Sequence, residues 1–111
     1  MILFDSFQIR DISFPYRIAG SPMCEYSSED GFANDWHLVH LGARAIGGAG
    51  TVLTEATAVG PDRRISPSDP GILKDAHVEN LARVVRFLRQ HGAVAGTQLT
   101  HAGFKASTGA P

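Results

Sequence analysis

The sequence has little that would cross-link the chain or carry it into a membrane. Cys24 is the only cysteine among 111 residues, so no disulfide can form within the chain, which fits a reducing compartment. No apolar run approaches the roughly 18 residues that a membrane helix needs. Residues 1–5 lack the basic start and apolar stretch of a signal peptide. These absences predict a cytoplasmic protein without a membrane partner.

An excess of charge of one sign is also missing. Ten Lys and Arg side chains against eleven Asp and Glu give a net charge of −1. Nucleic acids attract proteins with an excess of positive charge, so no nucleic-acid partner is expected. The length suits one modest core and falls well below the roughly 250 residues of a (β/α)8 barrel. We find no internal domain boundary and treat residues 1–111 as one unit.

What the chain does contain is an alternation of strand and helix patterns. Apolar and polar residues alternate through residues 7–16, which predicts a small hairpin. The elements that follow are predicted to be strand, helix, strand, helix and strand, at residues 17–21, 36–46, 51–59, 75–91 and 94–99. This order favours a parallel sheet, with its chemistry at the carboxyl ends of the strands. The long loop at 60–74, with a single helical turn, is expected to be functional.

Spacing within each helix predicts which side chains are buried. The first helix should begin at Asn34 or Asp35, whose side chains can accept from exposed amides, and Asp75 should cap the second. The buried stripes are predicted to be Leu38, Leu41 and Ala45 in the first helix and Val78, Leu81, Ala82, Val85 and Leu88 in the second. The residues expected at the surface are Arg83, Arg86, Arg89, His77 and His91.

Polar side chains follow each of the three predicted parallel strands. Cys24 and Tyr26 follow the first, Glu55-Ala56-Thr57 lies near the end of the second, and Gln98 and His101 lie at the end of the third. Such a rim suits a flat polar heterocycle that needs hydrogen bonds and close approach to the backbone. Gln98 is polar where a barrel lining should be apolar. Because an unsatisfied buried amide costs about 1–3 kcal/mol, a dedicated partner is predicted for it.

Two other patterns favour structural interpretations. His37 and His40 share a helix face, but no nearby carboxylate or cysteine is spaced to complete four metal ligands, so packing or capping is favoured. The Gly47-Gly48-Ala49-Gly50 turn precedes a strand, whereas the glycines of phosphate-binding loops follow one. A dinucleotide-binding fold is therefore not favoured.

Taken together, the motifs resemble the N-terminal third of the Old Yellow Enzyme family of flavin-dependent ene-reductases. The cysteine indicates its cysteine-containing, thermophilic-like subclass. The matching residues are Ser21-Pro22-Met23-Cys24-x-Tyr26, 35–40, 48–50, 54–59, 64–65, 71–72, 75–77, 98–103 and Lys105. They run in a fixed order across nearly the whole chain, which makes the resemblance specific.

The resemblance implies an α/β fold: about three β/α units and a capping hairpin, forming the N-terminal portion of a (β/α)8 TIM barrel. In such enzymes NADH or NADPH reduces FMN, and the reduced flavin passes hydride to an activated alkene. By position, the cofactor contacts are Ser21, Pro22, Met23, Cys24, Ala56 and Gln98. Cys24 would tune the flavin potential, Gln98 would bond the pyrimidine edge of the ring, and Tyr26 would reach the substrate.

The chain departs from the family at several places, including Phe104, which replaces an arginine. The family's substrate-gripping histidines, its proton-donating tyrosine and its phosphate-binding loops lie beyond residue 111. The resemblance therefore assigns no catalytic or metal-binding residue here and implies that the 111-residue chain alone is inactive. It implies a homo-oligomer for the full-length enzyme. The alternatives are a self-associating module without enzymatic activity and another FMN barrel, such as a demethylase or dienoyl-CoA reductase relative.

Overall fold

The computed structural model describes residues 2–109 and 111. A 3₁₀ turn at Ile2–Phe4 precedes a hairpin of β1 (Phe7–Ile9) and β2 (Ile12–Phe14). The rings of Phe7 and Phe14, which face each other across the hairpin, stack with centroids 4.9 Å apart. The predicted hairpin is confirmed.

A parallel sheet forms the centre of the chain. Its strands β3 (Ala19–Gly20), β4 (Thr51–Ala58) and β5 (Val94–Thr100) lie in the order β3-β4-β5. The parallel alternation is therefore confirmed. The first strand is shorter than the predicted 17–21, because only its two residues pair with β4, opposite Thr51 and Val52.

Two helices connect the strands, α1 (Asp35–Ile46) and α2 (Ala76–Gln90). Asn34 caps α1 as predicted, by accepting from the backbone N–H of Trp36. Asp75 precedes α2, but its side chain makes no capping bond, so that prediction is wrong. The reason is its helical backbone (φ −59°, ψ −31°), since a side-chain cap needs an extended residue. Neither helix, in the part of the chain described, is long and apolar enough to cross a membrane.

The core lies between the two helices and the sheet. It consists of Leu41, Ala45, Val52, Val84, Leu88 and Ala93, with Leu38 packed at its margin. The predicted stripe on α1 is confirmed. The prediction that Val78 is buried is wrong, because 54% of this residue is exposed.

His77 takes the buried position in the first turn of α2. It is only 1% exposed, contrary to the prediction of a surface residue, and its ring packs edge-on against Phe32. His77 is spaced four, seven and eleven residues from Leu81, Val84 and Leu88, which places all four on one helix face. Val78 lies about 100° away from that face. The predicted exposure of Arg83, Arg86 and Arg89 is confirmed.

Candidate functional site

A β-bulge shapes the carboxyl end of β4. Thr54 pairs with Thr97 and Ala56 pairs with Gln98, so Glu55 is the extra residue that has no partner on β5. A bulge re-aims the side chains around it. Glu55 and Ala56 are both buried, at 5% and 7% exposure, as are Thr57 and Ala58 after them.

Cys24 lies against this bulge. Its half-buried thiol lies near the backbone N–H of Ala56, close enough for that N–H to lower the pKa of the thiol. Burial raises the pKa of the Cys24 thiol, and the negative charges of Asp69 and Glu55 raise it further, while the Ala56 N–H opposes them. The group is therefore held as a neutral thiol, which is a poor nucleophile. Because the folded chain disfavours the thiolate, the free energy of unfolding falls as pH rises from the ordinary pKa of a cysteine toward this raised pKa.

The structure brings Cys24, Ala56 and Gln98 together across adjacent strand ends. Ser21 and Met23 border a cavity between this turn, α1 and β4. The exposed members of the predicted site are Ser21, Met23, Tyr26 and Gln98, whereas Pro22 is half-buried. Gln98 is exposed, because β5 is the edge strand of the described sheet, and its dedicated partner stays a prediction.

A buried polar network lies behind the cysteine. His37 Nδ1 accepts from the backbone N–H of Asn34 at 3.0 Å, which completes a capping box at the start of α1. Its Nε2 lies 3.1 Å from Glu55 Oε1 and 3.1 Å from Ser28 Oγ. The predicted capping role of His37 is confirmed. No cluster of three or more potential metal ligands occurs among residues 2–109 and 111.

Sequence reasoning placed Glu55 at a strand end but assigned it no role, and it missed Asp69. Asp69 is 2% exposed and its carboxylate accepts from the backbone N–H groups of Ile65 and Ser66 and from the Ser66 hydroxyl. These bonds order the long loop, whose predicted helical turn is the 3₁₀ segment Pro61–Arg63. Asx turns that can be recognised in a sequence bond amides that follow the Asp, so no such signal indicated bonds from Asp69 to the earlier amides.

Comparison with known proteins identifies the family. The sequence profile of the NADH:flavin oxidoreductase / NADH oxidase family matches residues 2–110. The chain belongs to this family. Its members use FMN and NAD(P)H and act on small-molecule substrates.

Two curated relatives carry names that agree with this assignment. An NADPH dehydrogenase of Bacillus cytotoxicus is 48% identical over 106 residues, which cover 94% of this chain and 31% of that protein. The NADH:flavin oxidoreductase FG08077 of Gibberella zeae is 43% identical over 109 residues, 98% of this chain and 26% of that protein. The chain thus spans less than a third of the length of either relative.

Solved structures confirm the predicted fold class. Morphinone reductase superimposes with a TM-score of 0.81 at 29% identity, over 89% of this chain and 26% of that chain. The old yellow enzyme of Trypanosoma cruzi superimposes with a TM-score of 0.85 at 25% identity, over 95% of this chain and 28% of that chain. The hairpin and parallel β/α units match the N-terminal part of old yellow enzyme TIM barrels.

Proposed function

We propose that this chain forms one wall of the flavin site of an FMN-dependent NAD(P)H oxidoreductase, of the cysteine-containing ene-reductase subclass. The observation that carries the proposal is the meeting of Cys24, Ala56 and Gln98 at neighbouring strand ends. FMN, when bound, supplies hydride transfer from NAD(P)H to an alkene activated by a carbonyl or nitro group.

The chemistry of these residues suits a flavin ring. Gln98 presents an exposed amide with both donors and an acceptor, which the pyrimidine edge of a flavin can pair with. Ala56 adds only a methyl group beside its backbone, so a flat ring can approach closely. Cys24 offers a neutral thiol near the same backbone, and Pro22 and Met23 supply apolar surface.

Tyr26 is the candidate substrate contact. It is 38% exposed and lies two residues after Cys24 in the same turn. Its phenol can bond to a substrate oxygen while its ring covers an apolar substrate. The chain offers no other residue that we assign to the substrate.

The proposal can be tested in a chimera. This chain replaces the matching segment of the Bacillus cytotoxicus NADPH dehydrogenase, to which it is 48% identical. We expect the chimera to retain FMN and to reduce cyclohexenone with NADPH. The chain alone should show no turnover with the same reagents.

Two variants of the chimera test the assignment of residues. Gln98→Leu should weaken FMN binding about tenfold or more, because it removes hydrogen bonds to the ring. The control is Gln90→Leu, which changes the same side chain at the exposed end of α2 and should leave FMN affinity unchanged. A folded chimera that does not bind FMN, or a Gln98→Leu variant with unaltered affinity, would contradict the proposal.

A further inference from the structure

We propose that Glu55 and His37 are positioning residues that fix the Cys24–Tyr26 turn against the end of β4. One oxygen of Glu55 accepts from the backbone N–H of Glu25 at 2.5 Å, immediately after Cys24. Its other oxygen lies 3.1 Å from His37 Nε2. That this turn matters for flavin chemistry rests on the proposed function. The hydrogen bonds of Glu55 that hold the turn can be tested without FMN.

We assign the ring hydrogen of neutral His37 to Nε2. Nδ1 lies 3.0 Å from the backbone N–H of Asn34 and 3.1 Å from Asn34 Oδ1, and the first of these contacts, which belongs to the capping box, requires an Nδ1 without hydrogen. The acceptors of the Nε2 hydrogen are the carboxylate of Glu55 and, at a similar distance, the hydroxyl of Ser28. His37 thereby connects the N-terminus of α1 to the bulge of β4.

Burial of His37 and Glu55 makes their hydrogen bonds costly to break. The side chains of His37 and Glu55 are only 6% and 3% exposed. A buried carboxylate without donors is strongly unfavourable, so Glu55 must keep both the His37 ring and the Glu25 N–H. Removing Glu55 would free the Glu25 N–H and with it the turn that holds Cys24.

The backbone of the turn also needs support. Tyr26 has φ of +54°, a left-handed conformation that is unfavourable for a residue other than glycine. Glu25, directly before it, is held twice, by Glu55 at its backbone N–H and by His40 Nδ1 at its carboxylate, 3.1 Å away. These two contacts of Glu25 stabilise the left-handed conformation of Tyr26, which is unfavourable by itself.

The test is the reactivity of Cys24 in the full 111-residue chain. Its thiolate attacks an added aromatic disulfide, forms a mixed disulfide and releases one coloured aryl thiolate. Because Cys24 is the only cysteine, the signal reports one site. Three groups raise the pKa of its thiol through their charges: Asp69 from the loop after β4, Glu55 from β4 and Glu25 from the turn itself. The rate is measured from pH 6 to pH 10.

Two substitutions separate charge from tethering. Glu55→Gln removes the charge but leaves an oxygen for one donor, so the reaction at pH 7 should become roughly two- to fivefold faster. Glu55→Ala also frees the turn and exposes the thiol, so the rate should rise about tenfold or more. Both pH profiles should move to lower pH, the Ala profile further. His37→Phe removes the donor to Glu55 together with the acceptor that caps α1, and it should accelerate the reaction without matching Glu55→Ala.

The matched control is Glu29→Gln, an exposed glutamate in the following segment. It makes the same charge change away from the thiol and should leave the profile unchanged. Circular dichroism and a thermal melt establish that each variant is folded. If Glu55→Ala does not fold, the comparison uses the isosteric Glu55→Gln variant. If folded Glu55 variants react like the wild type, or if Ala and Gln variants react alike, Glu55 does not position the turn. Since FMN is absent throughout, failure here is distinct from failure of the flavin proposal.

Discussion

At the scale of single residues, Gly31 has both a backbone and surroundings that select glycine. Its φ is +79°, and a Cβ built there would lie 2.9 Å from Cε1 of His77 and 3.3 Å from the backbone N of Gly71. Gly31→Ala combines left-handed strain with overpacking of a buried ring. We expect it to lower the free energy of unfolding by about 2–4 kcal/mol, measured by urea denaturation.

Gly92 provides the control for this prediction. Its φ of +81° is nearly the same, but no atom lies within 4 Å of a Cβ placed there. Gly92→Ala should therefore cost only the backbone strain, about 1–2 kcal/mol. Equal losses in the two variants would mean that crowding against His77 contributes nothing.

The sequence predicted much of the candidate site but not the hydrogen bonds that hold the Cys24–Tyr26 turn in place. Cys24 and Gln98 were recognisable from the motifs that contain them and from their place after predicted strands. The partnership of Glu55 with Glu25 was not, because it depends on a bulge that alternation along β4 does not predict. The exposure of Gln98 was also missed, since it depends on whether another strand lies beside β5.

At the scale of elements, the packing of α2 distinguishes two valines. Val84 is 3% exposed in the core and Val78 is 54% exposed. Val84→Ala removes two buried methyl groups and leaves a small cavity, so it should destabilise the chain by about 2 kcal/mol. Val78→Ala should change stability by less than about 0.5 kcal/mol.

Both valine variants are measured in one series of thermal and urea melts, and each carries the same helix-propensity change. An equal loss of stability in the two variants would mean that Val78 is buried in the core, as periodicity predicts. Periodicity correctly predicted that Leu88 is buried, but it placed Val78 on the buried face. The buried residue there is its neighbour His77, a polar residue that was expected at the surface. Periodicity predicts that a helix has a buried face, whereas the neighbouring side chains decide which polar residue joins it.

At the scale of the whole molecule, the alternation of strands and helices predicted the parallel sheet, and motif order predicted the barrel family. Neither determines what lies beside the outer strand. In the described part of the chain β5 pairs only with β4, and Leu99 on it is 63% exposed. An unpaired strand edge with an exposed apolar side chain is a site for pairing with another chain.

We therefore expect the purified 111-residue chain to self-associate through β5. Light scattering over a concentration series should give a mass that rises above 11.9 kDa. Leu99→Lys should return it toward the monomer, because lysine on an edge strand opposes pairing. Val39→Lys is the control, since Val39 is 65% exposed but lies on α1. A wild-type chain that stays monomeric would contradict this expectation, and an equal effect of both lysines would assign association to another surface.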